Sequence, residues 1–556
     1  MDSLDKILVN NKHIFNPNKK NKILFATGFA GYNHGAIVDK IISTSLSLRD
    51  CAVEFFICDE FLPTCMLTKI KQIQPKDLSL INKQPRCNDC FNNGQKYLKH
   101  LDFKKNLFSN FVSEEKKELI NNICNNINFI DALNYKINNV KIGEEAYAGC
   151  LRYYGREEIS REEYKLEILR KFLKSALLTY YSFNKLLDEK KYDCVVYSHG
   201  IYVPHGIINQ ILKNKNIRSV VYIPSYRKNT FIFSHNDTYH RTMIDEENIK
   251  WKNIKFEEKE KKILKDYLFS RRHGANDWIT FNIDNEYNYD LISKKNNIKK
   301  NKKTILLLTN VIWDARLHYS SNAFPSMIDW IIETIKYYEK KNDIQLIVRI
   351  HPAEITGDVP SRQKVEEEIL ERINQLPENI ILIKPDNPAS TYTLIENSNL
   401  ILIYNTKTGI EAAASGKNIV VAGEAWIRNK GFSLDASNKE DYFKILNDVE
   451  LDKNLSNENL IFAQKYAYHV FFRRMIELRQ LSINYLKKNK FTVNVNTISE
   501  LMPGFSIELD TICNGIIYGT DFIYDDKNQK INNIKRNKNF RHFFNLCAKK
   551  ILSFLR

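Results

Sequence analysis

The stretch IQLIVRIHPAE, residues 344–354, decides the fold class. Its first seven residues are mostly apolar or β-branched, which is typical of a strand buried on both faces. Pro352 ends the strand, and the polar residues Arg349 and His351 stand near that end. A strand of this kind belongs in a parallel sheet covered by helices, and ligands bind outside the carboxyl ends of such strands.

The same pattern continues on both sides of this stretch. Residues 327–338 and 365–373 carry apolar side chains at three-to-four spacing, which predicts helices between the strands. Four more apolar runs predict the other strands of the sheet, namely TILLLTN (304–310), NIILIK (379–384), LILIY (400–404) and NIVVAG (418–423). Strands that alternate with amphipathic helices predict an α/β unit built on a parallel sheet.

A second α/β unit precedes the first along the chain. Its predicted strands are KILFAT (22–27), VEFFIC (53–58), DCVVYSHG (193–200), SVVYIPS (219–225) and WITFN (278–282). We therefore predict an α/β protein in which two Rossmann-like domains face each other across a cleft, with a C-terminal helical extension. The predicted divisions are a polar N-terminal segment (1–20), a first domain with a cysteine-containing insertion (21–283), a linker (284–303), a second domain (304–455), and C-terminal helices with a basic tail (456–556).

The composition limits the classes of partner. The 556 residues are 43% hydrophobic and 27% charged, which is typical of a globular chain and excludes a mostly disordered one. The net charge of +17 favours an anionic partner such as a nucleotide phosphate or an acidic membrane surface. We expect no nucleic-acid partner, because no recognition-helix or RNA-binding motif appears. Without a signal peptide or a transmembrane run, we expect a cytoplasmic protein.

The last 27 residues, KINNIKRNKNFRHFFNLCAKKILSFLR (530–556), predict a basic amphipathic helix. Such a helix can lie on an anionic membrane surface, with its lysines and arginines at the headgroups. Alternatively, it docks on the protein core with its lysines in water. The first alternative predicts peripheral attachment to the inner face of the plasma membrane.

The polar residues of RIHPAE are candidates for a phosphate site. Arg349 and His351 offer N–H donors to a phosphate, and Glu354 can accept a hydroxyl proton. We therefore take Glu354 as a candidate catalytic residue. The alternative is that a histidine at a strand end is structural.

A second candidate segment is YNTKTGIEAAASGK, residues 404–417, which follows the strand LILIY and opens a helix. The first N–H groups of a helix can bind an anion, and a carboxylate one turn in can hold a pair of ribose hydroxyls. Alternatively, Thr408 caps the helix and Glu411 is a favourable first-turn charge. We expect this segment to share one pocket with RIHPAE, through Asn405, Thr406, Thr408, Gly409 and Glu411.

Two segments of the first domain are expected to face that pocket across the cleft. GFAGYNHG (28–35) follows the first strand, and SHGIYVPHG (198–206) follows another strand end. The alternatives are that the glycines form a plain structural turn and that one of the two strand-end histidines is structural. The expected cleft residues are Gly28, Gly31, Tyr32, His199 and His205, with His34 as a second catalytic candidate.

Four cysteines cluster within 33 residues of sequence. Cys58 and Cys65 are followed by a CxxC pair, Cys87 and Cys90, in a polar segment. Four thiolates can close a tetrahedral zinc site, or hold an iron–sulfur cluster. The alternatives are free thiols and a redox pair. A structural zinc is thus one prediction for this chain. We expect that catalysis at the cleft requires no cofactor.

The motifs RIHPAE, STYTLIENSNLILIYNTKTGIEAAASGKNIVVAGEAWIRNKGF (390–432) and TNVIWDARLHYSSNAFPSMIDWI (309–331) resemble a known family. They are similar to the C-terminal donor-binding half of GT-B glycosyltransferases. Among these they most resemble the bacterial capsule and surface-polysaccharide synthesis proteins, including the Kdo-transferring capsule enzymes. A His-Pro pair followed by a Gly-x-Glu helix also occurs in polyol-phosphate transferases and in UDP-sugar 2-epimerases of the same two-domain fold.

The resemblance implies a glycosyltransferase that moves a sugar from a CMP- or UDP-linked donor to a glycan or glycolipid acceptor. It implies that His351 contacts the nucleotide phosphate and that Glu411 contacts the ribose or base. The acidic motif of bacterial sialyltransferases is not found at a matching position, since GEEAYAG (143–149) has its letters in another order. From a different class, a non-catalytic assembly scaffold with a degenerate cleft is the alternative.

Overall fold

The computed structural model describes residues 3–29, 31–277, 280–281, 285–318, 322–484 and 490–524. The strands within these ranges are β1 Asn21–Gly28, β2 Cys51–Ile57, β3 Lys104–Leu107, β4 Cys194–Ser198, β5 Ser219–Pro224, β6 Thr230–His235, β7 Lys303–Leu308, β8 Ile344–Arg349, β9 Ile380–Ile383, β10 Leu400–Ile403, β11 Ile419–Val421, β12 Leu434–Asp435, β13 Ile476–Glu477, β14 Leu481–Asn484 and β15 Lys490–Val493.

Helices lie between most of these strands, and a π-helical turn follows α20 at His469–Arg474. The helices are α1 Ser3–Val9, α2 Asn33–Ser47, α3 Pro75–Leu80, α4 Arg86–Tyr97, α5 Glu114–Asn126, α6 Phe129–Asn134, α7 Ile142–Tyr154, α8 Lys165–Glu189, α9 His205–Asn214, α10 Tyr239–Asp245, α11 Ile249–Lys252, α12 Glu258–Arg272, α13 Tyr289–Lys295, α14 Met327–Tyr338, α15 Ala353–Thr356, α16 Val365–Arg372, α17 Thr391–Glu396, α18 Thr408–Ala414, α19 Lys439–Asp448, α20 Asn457–Tyr468 and α21 Ile507–Tyr518.

The first sheet has the strand order β13-β6-β5-β4-β1-β2-β3. Its strands β1 to β5 pair in parallel, while β6 and β13 form an antiparallel edge. Alternate residues of β1 enter different cores: Ile23 and Phe25 lie on one side, and Leu24 and Ala26 on the other. Because both faces are covered, the strand reads as a continuous apolar run.

The second sheet has the strand order β12-β11-β10-β7-β8-β9, and all its neighbours pair in parallel. Strand β8, which contains the apolar part of IQLIVRIHPAE, lies inside this sheet. Ile347 packs into the core on one face, and Leu346 and Val348 pack into the core on the other. The predicted α/β class with two parallel-rich sheets is confirmed.

Helices α11 to α13 precede the second sheet in the chain but pack against it. Trp251, Leu264 and Ile292 share one core with Leu306 and Ile401 of the second sheet. This packing differs from the predicted boundary at residue 283. The predicted linker 284–303 contains helix α13, which begins where the Asn288 side chain accepts two backbone N–H groups. The predicted strand WITFN lies partly outside the described residues, and residues 280–281 are not in a strand.

The C-terminal part of the described chain returns to the first sheet. Helix α20 packs against α18 of the second unit, after which β13 pairs with β6 and α21 packs against α2. Ile512 and Ile516 of α21 lie in the same core as Ile37 and Ile41 of α2. The C-terminal extension is therefore part of the core of the first unit.

In the ranges given above, no helix combines the length and the apolar character needed to cross a bilayer. The predicted basic helix at 530–556 lies outside the described residues.

We predict that Ile512→Ala lowers the free energy of unfolding by about 2–5 kcal/mol, because it leaves a cavity in the core of the first unit. Tyr518→Ala on the same helix is the control, since the Tyr518 side chain is 72% exposed. Urea unfolding measures both variants. Equal, small effects from the two substitutions would show that α21 does not stabilise this core.

Candidate functional site

A cavity of about 310 Å³ opens at the carboxyl edge of the second sheet. Residues from both parts of the chain line it. The second sheet and its loops contribute Thr309, Asn310, Asp314, Arg349, His351, Asn405, Thr406, Lys407, Thr408, Glu411 and Trp426, and the preceding segments contribute Ser225, Tyr226, Tyr239, His240, Arg271 and Asp277. The structure thus brings the two sequence segments RIHPAE and NTKTGIE to one cavity.

The strand register explains why these segments meet. Strand β7 pairs in parallel with β8 on one side and with β10 on the other, and Leu308 stands opposite both Arg349 and Ile403. The three strands therefore end at the same level. The loops that follow them leave the sheet side by side, which is the geometry expected at the edge of an open parallel sheet.

His351 is held in one tautomer by its own turn. Its Nδ1 accepts the backbone N–H of Ala353 at 3.0 Å, and its backbone N–H donates to Thr309 Oγ1 at 3.0 Å. Since Nδ1 accepts, Nε2 carries the ring proton. Burial, together with the charge of Arg349, lowers the pKa of His351 to about 4. His351 is therefore a neutral hydrogen-bond donor at physiological pH.

Arg349 is a buried cation. Its Nη2 donates to the carbonyl of Asn387 at 3.1 Å, and Nη1 donates to the carbonyl of Lys384. Its Nε–H is buried and has no hydrogen-bond partner, and no described carboxylate forms an ion pair with it. Burial lowers the pKa of Arg349 to about 10, so the group keeps its positive charge at neutral pH.

Lys407 is a second cation at the cavity, and aromatic rings surround its amine. The Nζ atom lies 5.0 Å from the ring centre of Tyr226, 5.2 Å from that of Tyr239 and 4.7 Å from that of Trp426. Cation–π contacts of this kind stabilise an ammonium group without neutralising its charge. No ion pair joins Lys407 to a carboxylate in the described part of the chain.

Glu411 is already paired. Its Oε1 accepts Arg271 Nη2 at 2.9 Å, and Arg271 also pairs with Asp277. Burial opposes the charge on Arg271, but Glu411 raises the pKa of this guanidinium above its ordinary value. Glu411, which was predicted to hold a ribose, therefore neutralises the charge of the buried Arg271.

The other residues predicted in NTKTGIE take different positions. Asn405 Oδ1 accepts Asn310 Nδ2 at 2.9 Å, and Thr406 and Thr408 are joined by a 3.4 Å hydroxyl contact, all at the cavity wall. Gly409 instead faces the sheet, because a Cβ there would lie 2.6 Å from the side chain of Ile403. The glycine lets α18 approach β10 closely, and it does not line the cavity.

Glu354 does not line the cavity either. Its Oε2 accepts the backbone N–H of Val365 at 3.0 Å, and the side chain is buried. A carboxylate that accepts the first N–H of a helix acts as a cap, here for α16. The structure thus gives Glu354 a capping role and not the predicted catalytic position.

The predicted cleft residues of the first unit also lie away from this cavity. His34 packs on Tyr32, with 3.8 Å between ring centres, and on Phe491. Gly28 ends β1 with φ +81° and Gly31 donates its N–H to Cys90 Sγ, so both belong to the turn after β1. His34 is therefore part of the packing and not a base at the cavity.

Of the two strand-end histidines, His205 is buried within the first unit and His199 is half-buried. His205 Nε2 donates to the Thr27 carbonyl at 2.7 Å, and the ring stacks on Phe29. His199 has its ring centre 5.6 Å from that of Tyr202, whose hydroxyl donates to Asp314 at 3.0 Å. His199 is not among the residues that line the cavity.

Sequence reasoning missed several residues of the cavity, Asp314 among them. Lys407 stands inside the quoted motif NTKTGIE. Its position between two threonines at a strand end could have indicated a residue of the cavity. No local pattern marks Arg271, because it lies on an ordinary amphipathic helix. Tyr226 and Tyr239 likewise lie outside the quoted motifs, and Trp426 stands inside one, but their rings meet Lys407 only in the folded chain.

The four clustered cysteines line a separate cavity of about 290 Å³ in the first unit. None of Cys58, Cys65, Cys87 and Cys90 forms a disulfide with another described cysteine. As they stand, no three His, Cys, Asp or Glu side chains of the described residues are placed to hold a metal ion.

A comparison with protein families matches the part of the chain that contains the second sheet. Residues 222–474 match the capsule polysaccharide biosynthesis protein family. The predicted resemblance is thereby confirmed. The matched segment begins in β5, ends just before β13, and includes the whole second sheet together with α10 to α13. A comparison with curated proteins gave no match.

Several solved structures are similar to this chain at low identity. A KpsC β-Kdo 2,4-transferase of Thermosulfurimonas dismutans is 11% identical over 56% of this chain and 87% of its own, with a TM-score of 0.33. The UDP-GlcNAc 2-epimerase of Neisseria meningitidis bound to UDP-GlcNAc is 12% identical over 80% and 97%, with a TM-score of 0.24. The spinosyn rhamnosyltransferase SpnG is 6% identical over 81% and 95%, also with a TM-score of 0.24.

We predict that Glu411→Ala destabilises the fold by roughly 3 kcal/mol, because it removes one partner of a buried ion pair. His351→Ala is the comparison, since His351 hydrogen-bonds to Ala353 of its own loop and to Thr309 and is in no ion pair with a described carboxylate. Chemical unfolding of both variants checks this. Unchanged stability in Glu411→Ala would mean that Asp277 alone compensates Arg271.

We also predict that stability falls as the pH drops from about 6.5 towards 4. Burial lowers the pKa of His34 to about 3 and of His205 and His351 to about 4. Between these values and 6.5 the unfolded chain binds the protons and the folded chain does not, so acid favours unfolding. Each histidine contributes up to about 2 kcal/mol between pH 6.5 and 5.

Urea unfolding at pH 7 and at pH 5 measures this dependence. His205→Gln should lessen it, because glutamine takes up no proton in either state, while His34 and His351 keep their contributions. An unchanged difference between the two pH values in that variant would contradict the assignment to His205.

Proposed function

We propose that this protein is a glycosyltransferase that moves a sugar from a nucleotide-sugar donor to a capsular or other surface-polysaccharide acceptor. One observation carries the proposal. Arg349 and Lys407 are two cations without a paired carboxylate in the described chain, and they line one cavity beside the neutral donor His351. Such a cavity favours an anion, and the match to the capsule family makes a nucleotide sugar the natural candidate.

The chemistry follows from these positions. When the bond between the sugar and the phosphate breaks, negative charge develops on the leaving phosphate oxygens. Arg349 and Lys407 would neutralise that charge, and His351 Nε2–H would donate a hydrogen bond to it. Because cationic side chains can supply this stabilisation, the proposed transfer requires no metal.

The proton of the acceptor hydroxyl needs a base at the cavity. Of the cavity carboxylates, Asp277 and Glu411 are committed to Arg271, whereas Asp314 is exposed and accepts the Tyr202 hydroxyl. We assign the proton to Asp314, in place of the earlier candidates Glu354 and His34. A base must reach the hydroxyl it deprotonates, and Asp314 lies where the two units meet.

The acceptor and the location belong to the same proposal. A surface glycan or a glycolipid that is extended from a nucleotide sugar would be met at the cytoplasmic face of the membrane. The net charge of +17 would favour an anionic bilayer surface. The basic segment 530–556 would supply the attachment.

We predict that Arg349→Met and Lys407→Met each weaken nucleotide binding by roughly 10- to 150-fold, because each removes a charge-assisted contact of about 1.5–3 kcal/mol. Lys453→Met is the matched control, since its side chain is 69% exposed on the same unit. Calorimetric titration with CMP, UDP and GDP measures the affinities. If no nucleotide binds the parent protein, the donor site is refuted and the scaffold alternative is favoured.

A transfer assay separates the remaining alternatives. With donor and acceptor glycan, the parent protein should release nucleotide, and Asp314→Asn should bind nucleotide normally but transfer at least tenfold more slowly. Consumption of a UDP-sugar without acceptor would instead indicate an epimerase. Transfer at the parent rate by Asp314→Asn would remove Asp314 from the mechanism.

A further inference from the structure

The loop of the second unit that carries Asp314, residues 311–318, rests on the first unit. Tyr202, in the turn between β4 and α9 of the first unit, donates its hydroxyl to Asp314 Oδ1 at 3.0 Å. The same hydroxyl accepts the backbone N–H of Ala315 at 3.0 Å. One hydroxyl therefore holds both the carboxylate and the backbone next to it.

The ring of Tyr202 is fixed by its own surroundings. Tyr202 is 1% exposed and packs in one apolar cluster with Phe29 and Ala315. Its carbonyl accepts the backbone N–H of Gly206 at 2.7 Å, and the guanidinium carbon of Arg152 lies 5.4 Å from its ring centre. A ring that is packed in this way has little freedom to rotate, so the hydroxyl stays at one place.

The backbone on both sides of this hydrogen bond is strained. Tyr202 has φ +63° and Ala315 has φ +53°, and His199 in the same turn as Tyr202 has φ +71°. Residues with a Cβ rarely adopt this left-handed region, and the surrounding structure must hold them there. Because such residues cluster at functional sites, three of them on two turns that meet indicate that the side chains of these turns serve a function.

Three further contacts hold the loop 311–318 against the first unit, and none of them touches the Asp314 carboxylate. They are the cation–π contact of Arg152 with Trp313 at 5.4 Å, the ion pair of Arg316 with Glu157 at 3.2 Å, and the contact of His318 with Glu145 at 3.4 Å. These contacts do not depend on the Tyr202 hydroxyl. What the hydroxyl adds is therefore the orientation of the carboxylate.

We propose that Tyr202 is a positioning residue that orients Asp314 towards the acceptor hydroxyl. The role rests on the proposed function, since Asp314 must be the base. Oδ1 is occupied by the Tyr202 hydroxyl, and no other donor in the described part of the chain bonds to this carboxylate, so Oδ2 is left to the acceptor. In the transfer, Oδ2 takes the proton of the acceptor hydroxyl, the acceptor oxygen bonds to the anomeric carbon, and the electron pair of the sugar–phosphate bond leaves with the phosphate.

The base thus belongs to the second unit, whereas the group that orients it belongs to the first. Tyr202 does not line the donor cavity, in which Arg349 and Lys407 would bind the phosphate. Its hydroxyl should therefore affect the rate of transfer and not the affinity for the nucleotide. A small misplacement of a base is enough to slow proton transfer strongly.

Tyr202→Phe removes the hydroxyl and keeps the ring with its packing. The variant should bind nucleotide with the affinity of the parent protein and should transfer sugar at least roughly tenfold more slowly, through kcat and not through the KM for the donor. Tyr197→Phe is the matched control, because Tyr197 is buried in the same unit and donates its hydroxyl to Asn209 Oδ1 at 2.8 Å. The control should transfer at the parent rate.

The double variant Tyr202→Phe/Asp314→Asn separates a positioning role from a merely structural one. If Tyr202 acts through Asp314, the double variant should transfer no more slowly than Asp314→Asn alone. Losses that multiply in the double variant would overturn the proposal. So would transfer at the parent rate by Tyr202→Phe, or weaker nucleotide binding by that variant, which would show a structural role.

The parent protein and Asp314→Asn tell a failure of this role from a failure of the proposed function. No transfer by the parent protein, or transfer at the parent rate by Asp314→Asn, would refute the proposed base and the role of Tyr202 together. Slow transfer by Asp314→Asn with parent-rate transfer by Tyr202→Phe would refute the role of Tyr202 alone.

Discussion

The parallel pairing of β7 with β8 and with β10 is the constraint on which the candidate site depends. It aligns three strand ends at one level, so Thr309, His351 and Thr406 leave the sheet on one edge. A shift of one residue in either pairing would turn the side chains of that strand to the other face and move its loop along the edge. The apolar cores on both faces of the sheet prevent such a shift, and the cavity takes its shape from that rigidity.

Charge compensation divides the cavity into two parts. Arg271 is neutralised by Glu411 and Asp277, which leaves a rigid, balanced group on one wall. Arg349 and Lys407 are held by carbonyls and by aromatic rings, which bind a cation without cancelling it. A ligand anion would complete the second part, whereas it would gain little from the first. A buried cation with a counter-ion from the chain, such as Arg271, is thus structural, whereas a buried cation without one, such as Arg349, favours binding of an anion.

Much of the fold could be predicted because buried parallel strands read as apolar runs, as β1 and β8 do. Strand β13 was missed, since it has two residues and exists through its pairing with β6. The motif segments were located correctly, but individual side chains were not. Glu354 caps α16 and Gly409 packs on β10, because tertiary contacts decide where a side chain points. Arg271 could not be found from sequence, since its partner Glu411 is 140 positions away.

The return of the C-terminal segment to the first sheet has a consequence for biosynthesis. Strand β13 and helix α21 leave the ribosome only after the entire second unit has been made. Until then β6 has an unpaired edge, and the part of α2 that packs against α21 remains uncovered. The first unit is thus completed last although it is translated first, and the nascent chain must keep this surface from aggregating while the second unit folds.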